Sequence, residues 1–120
     1  MPGVFAFLFT DIEGSTRLWE AQPRAMGAAL ARHDAILREA IEGHRGRVFK
    51  TVGDAFCAAF IDPLAATLAA ITAQRGLAAE PWSGVPPIHV RMAVHVGSAE
   101  ERDGDFFGQT LNRVSRLLAL

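Results

Sequence analysis

Cysteine occurs once, at Cys57, so no internal disulfide can form, and the chain reads as built for a reducing compartment. Charge of one sign is not in excess: twelve basic against thirteen acidic side chains leave a formal charge of −1. That balance gives no sign of a nucleic-acid-binding or membrane-surface protein. No apolar stretch is long enough to span a bilayer. Met1-Pro2-Gly3-Val4 has no basic segment leading into an apolar run, so no signal peptide is visible. Low-complexity tracts, internal repeats and linkers are also missing. Only 21% of the 120 residues are charged and 50% are hydrophobic, which excludes a disordered chain or a coiled coil. A single domain with one sizeable core, cytoplasmic in location, is expected.

What is there has a clear order. Val4 to Phe9 is a continuous apolar run, bounded by Thr10-Asp11, and reads as a strand buried on both faces. Ser15 or Thr16 is placed to cap a short helix, and Pro23 suits the first turn of a longer one. Met26, Leu30, His33, Leu37, Ala40 and Ile41 recur at helical spacing, and Gly43 and Gly46 close that helix. Val48 to Val52, Gly53-Asp54 and Ala55 to Phe60 read as a hairpin with a two-residue turn. Asp62-Pro63 is a cap followed by a first-turn proline, opening a helix that presents Leu64, Leu68, Ile71 and Leu77. From Ile88 to Gly97 apolar residues alternate with His89, Arg91, Ala93 and His95, a period of two. A polar loop, Glu100 to Asp105, then leads to a final helix from about Gln109. The order β-α-β-β-α-β plus a helix predicts an α+β, ferredoxin-like sheet with helices on one face. The chain stops at Leu117-Leu118-Ala119-Leu120, in an apolar helical stretch with no terminating residue. Residues 1–120 are therefore expected to be one domain lacking its C-terminal portion.

Two carboxylates stand at the ends of these elements. Asp11 follows the buried first strand and Asp54 sits in the hairpin turn. A ferredoxin-like sheet puts the first strand in the centre beside the hairpin, so the two acids can meet. Carboxylates held close repel unless they are protonated or bridged by cations, and such oxygen ligands suit Mg²⁺ or Mn²⁺. Between them, Gly14, Ser15 and Thr16 offer small side chains and backbone N–H groups to a phosphate. Taken alone, an aspartate in a Gly-Asp turn is most often only a turn residue. His33, His44, His89 and His95 lack the close His/Cys spacing of a metal site. Cys57 alternates within a strand and reads as core, and Trp19 and Trp82 read as packing anchors.

The segments Phe9-Thr10-Asp11-Ile12-Glu13-Gly14-Ser15-Thr16 and Phe49-Lys50-Thr51-Val52-Gly53-Asp54-Ala55-Phe56 resemble the two metal-site signatures of the class III nucleotidyl cyclases. Val90 to Gly97 and Asp105 to Arg116 resemble two further blocks of that family, in the right order. Val96 departs from it, standing where serine or threonine is more usual. The resemblance implies that Asp11 and Asp54, with the backbone carbonyl of Ile12, hold two divalent cations, Mg²⁺ or Mn²⁺. It implies that Arg91 binds the triphosphate of an ATP substrate. Asn112 and Arg116 match the transition-state pair, and their i, i+4 spacing puts both on one helix face; without the match they read as surface polar residues. Lys50 and Asp105 match the base-selecting positions. A lysine donor and an aspartate acceptor suit N1 and the N6 amino group of adenine and oppose guanine, which favours ATP.

The function implied is an adenylyl cyclase, converting ATP to 3′,5′-cyclic AMP and pyrophosphate at sites shared across a head-to-tail homodimer. One subunit would supply Asp11, Asp54 and Arg91, the other Lys50, Asp105, Asn112 and Arg116. The alternative is a catalytically silent nucleotide-binding or dimerisation module of the same fold. A two-metal phosphohydrolase is a third reading, but it has no need of Lys50 with Asp105.

Overall fold

The computed structural model describes residues 3–120; Met1 and Pro2, part of the start read above as free of a signal peptide, lie outside the described residues. The elements are β1 (Gly3–Ile12), α1 (Ser15–Ala21), α2 (Pro23–Gly43), β2 (Arg47–Val52), β3 (Ala55–Phe60), α3 (Pro63–Ala79), β4 (Val90–Arg102), β5 (Asp105–Phe107) and α4 (Gln109–Leu118). They form one sheet in the order β2-β3-β1-β4-β5, with every pairing antiparallel. Its first four strands have the connectivity of the ferredoxin-like core expected from the sequence. Among the described residues no helix is long and apolar enough to cross a membrane.

The apolar run of β1 is explained by two cores. Ala6, Leu8 and Ile12 point to the layer made by α2 and α3, where Met26, Leu37, Ile41, Ala69 and Ala73 are buried. Phe7 and Phe9 point the other way, to Cys57, Ala93, Phe106 and Val114. Helices α2 and α3 cover the first face as expected, whereas α4 packs on the second through Val114 and Thr110. Gly97 permits that approach: a Cβ there would lie 2.5 Å from Thr110 Oγ1.

Four details differ from the sequence reading. Neither Ser15 nor Thr16 caps α1; the cap position falls on Gly14, whose φ of 68° provides the sharp exit from β1 that a side chain would resist. Helix α3 buries Ala66, Ala69, Ala73 and Leu77, while Leu64, Leu68 and Ile71 are exposed. Its contact with α2 is too close for large side chains; a Cβ on Gly76 would meet Ile36 at 2.9 Å. The last long strand begins at Val90, two residues later than Ile88. Finally, Glu100 to Asp105 is not a loop: β4 runs to Arg102, and Asp103-Gly104, with φ of 51° and 80°, turns it into β5. This arm curls over the second face, and the Phe106 ring sits 4.8 Å from Phe49, 4.9 Å from Phe5 and 5.2 Å from Phe7, centroid to centroid.

Candidate active site

The first cluster lies where β1 ends. Asp11 shares the parity of Phe7 and Phe9 and is directly opposite Arg91 in the β1–β4 register. Arg91 grips it with a fork: Nε donates to Oδ1 at 2.8 Å and Nη2 to Oδ2 at 2.6 Å. That bond, with the Asp11 charge, raises the guanidinium's proton affinity above its ordinary value. Asp54 arrives from the β2–β3 turn, which Gly53 makes at φ 59°. Its Oδ1 accepts the Ile12 N–H at 3.0 Å, tying the hairpin tip to the end of β1. Both carboxylates open into one cleft of about 590 Å³, shared with Ile12, Gly14, Ser15, Thr16 and Arg91. Arg17 and Glu20, passed over in the sequence, line the same cleft. Their signal was there: both lie on the same short helix as Ser15 and Thr16.

The donor set suits a hard divalent cation. Asp11, Asp54 and Glu20 all line the cleft, yet among the described residues no three His, Cys, Asp or Glu side chains gather to cage an ion. That composition fits Mg²⁺ or Mn²⁺, which keep waters and take further oxygens from a phosphate ligand.

The second cluster is Lys50 with Asp105, joined by an ion pair of 2.8 Å. Lys50 is the chain's sole lysine. Plain alternation from Val48 would turn it toward the helical layer. Instead a β-bulge leaves Phe49 as an extra residue: Val48 pairs with Ala58, and Lys50 with Cys57 on the other face. The curled arm then carries Asp105 to it. The Lys50 ammonium holds the Asp105 carboxyl below its usual range, aided by the Phe106 N–H at 2.7 Å. In turn Asp105 raises the lysine. Beneath them burial pushes the Cys57 thiol up to about 11, so it remains a neutral core group.

Asn112 and Arg116 form no cluster with either set. Both are exposed on α4, and neither lines the cleft of Asp11 and Asp54. Within one chain the residues singled out from the sequence thus fall into three separate groups. His33 is fully buried, with Nδ1 2.8 Å from Asp34, consistent with a structural role.

An antiparallel ferredoxin-like sheet with Asp11, Asp54 and Arg91 in one cleft is the arrangement expected of one class of protein, the nucleotidyl cyclases. Comparison with known proteins makes it definite. The family described as adenylate and guanylate cyclase catalytic domain matches residues 3–80, and the chain belongs to that family. An uncharacterized protein of Mycobacterium tuberculosis is 36% identical over 117 residues, which are 96% of this chain and 39% of that protein. The adenylate cyclase of Neurospora crassa is 32% identical over 143 residues, covering 98% of this chain and 6% of the fungal one. A monomeric adenylate cyclase structure from Trypanosoma brucei superposes with a TM-score of 0.88 at 26% identity, covering 97% of this chain and 68% of that one. The chain therefore spans well under half of the curated relatives it matches.

Proposed function

We propose that the chain is the catalytic domain of an adenylyl cyclase, forming 3′,5′-cyclic AMP and pyrophosphate from ATP at sites shared between two copies arranged head to tail. The observation that carries the choice of base is the Lys50–Asp105 pair. The lysine donates to adenine N1 and the aspartate accepts from the N6 amino group. Guanine presents the opposite polarity at both places, and each unmatched polar group costs about 1–3 kcal/mol.

The remaining roles are those the family resemblance implies. Asp11, Asp54 and the Ile12 carbonyl would hold two Mg²⁺ or Mn²⁺ ions, whose chemistry there is to favour the alkoxide of the ribose 3′-hydroxyl and neutralise the triphosphate. Arg91 binds the triphosphate, and Gly14, Ser15 and Thr16 offer it backbone N–H groups. Asn112 orients the ribose, and Arg116 stabilises the charge that grows on the α-phosphoryl group. The separation of α4 from the cleft supports a shared site, because Asn112 and Arg116 then reach the substrate from the partner copy. A symmetric pair holds two equivalent sites.

The test is base choice. Lys50→Glu with Asp105→Cys should admit GTP and erode the preference for ATP, at a lower total rate, when product formation from each nucleotide is measured. Unchanged discrimination in the double variant would refute the assignment of the base-reading pair.

A further inference from the structure

Asp11 and Asp54 do not stand alike in the cleft. Asp54 has one oxygen tied to a backbone N–H and no cationic partner among the described residues. Asp11 has both oxygens engaged by one guanidinium. Backbone register sets that contact, since Asp11 and Arg91 are paired residues of neighbouring strands. Yet the arginine head is free to leave: its side chain is 46% exposed and that of Asp11 25%. Arg17 lines the same cleft and has no ion-pair partner among the described residues, so docking on a carboxylate is a property of Arg91 and not of every arginine there.

We infer that Arg91 is a displaceable internal cation, occupying the Asp11 carboxylate until a divalent ion takes its place, so that metal entry and release of Arg91 toward an anionic ligand are one event. The inference rests on the proposed metal role of Asp11 and adds a competitor for that site. A fork-on-fork contact commits a lone pair of each oxygen. The guanidinium stays charged at any working pH, so it also repels an incoming cation. Glu13 and Asp54 add to the negative field around Arg91, which keeps it near the cleft after it lets go of Asp11. An exposed pair is weak enough for a divalent ion to break. Once free, the same guanidinium has the geometry to fork onto a phosphate.

The experiment uses Mn²⁺ alone, without nucleotide, with the free ion followed by its electron paramagnetic resonance signal at neutral pH. Arg91→Gln removes the charge and the fork. It should bind Mn²⁺ about three- to tenfold more tightly than the unaltered protein, and Arg91→Lys should fall between the two. Circular dichroism checks the fold; should Arg91→Gln not fold, the comparison with Arg91→Lys decides. If Arg91 serves only to bind triphosphate, its removal leaves Mn²⁺ affinity unchanged, and that result, or weaker binding, overturns the inference. Asp11→Asn, which should abolish the tight Mn²⁺ binding, keeps the two levels apart. Its loss of binding beside an unmoved Arg91→Gln overturns the competition alone. No Mn²⁺ binding by the unaltered protein at millimolar levels overturns the metal role and the inference together.

Discussion

Replacing Gly97 by alanine tests how α4 is held on the sheet. Two opposing effects decide its sign. A glycine inside a strand is worse than alanine by about 0.5–1 kcal/mol, so the change alone should stabilise. Against it, the new Cβ would lie 2.5 Å from Thr110 Oγ1 and 2.7 Å from Cγ2. Thr110 cannot swing aside cheaply: it is buried, and its hydroxyl donates to the Ser98 carbonyl at 2.6 Å. Overpacking costs about 1–3 kcal/mol, and a lost hydrogen bond about 1 kcal/mol more. The clash wins, leaving a net loss of about 1–3 kcal/mol. With a urea slope of about 1–3 kcal/mol per molar, the unfolding midpoint should fall by about 1 M. In a Thr110→Ala background only the Cβ contact, at 3.2 Å, is left, and the same substitution should become neutral or stabilising. The double-mutant cycle should thus show a coupling above about 1 kcal/mol. A Gly97→Ala protein as stable as its parent, or more so, would refute the packing argument.

Asp54→Ala and Arg116→Ala should each be nearly inactive as pure proteins, and mixing them should restore a sizeable fraction of activity that depends on protein concentration; heterodimers shown to form yet inactive would remove the shared site. The Asp105 carboxyl should titrate below the usual aspartate range by carbon NMR, and Lys50→Gln should move it back up. The sign of the linked stability follows: the folded value is depressed, so its contribution is present above the unfolded value and lost as pH falls through the folded one. Lys50 runs the other way, its contribution lost only as pH rises through a raised lysine value. A normal Asp105 titration would mean that the pair does not persist in solution.

Local chemistry made much of this fold legible. The Gly53-Asp54 turn and the Asp62-Pro63 start of α3 rest on interactions within a few residues, and the burial of β1 and the buried stripe of α2 are written in the periodicity of their own residues. Asp62 indeed accepts the Leu64 N–H at 3.0 Å. The misread parts depend on distant partners. Periodicity favours the largest apolar residues of α3, but the spacing to α2 selects its alanines. The Asp103-Gly104 turn lay hidden in a polar stretch, because both strands of that arm are largely solvent-facing. The four motif blocks named the candidate site residues, but not their contacts. Arg91 meets Asp11 through strand register, and Lys50 meets Asp105 only because a bulge turns one strand and Phe106 draws the other across the sheet.

The resting charges of the site follow one rule. Both cations assigned to the nucleotide from this end of the sheet, Arg91 and Lys50, are parked on a carboxylate of the same chain. Leaving them bare would set like charges on one sheet face; burying the pairs would lock them, since stripping a buried ion of its partner costs several kcal/mol. The side chains instead stay between about a quarter and a half exposed, Lys50 at 46% and Asp105 at 27%. In that range solvent screens an ion pair heavily, so it counts for little beside the charge-assisted bonds that a triphosphate or a base edge offers in return. The pairs are therefore strong enough to orient four side chains and weak enough to be exchanged for a ligand. Under the proposed function, selectivity then comes from what replaces each partner: a phosphate at Arg91, and at Lys50 and Asp105 a base edge that satisfies donor and acceptor at once.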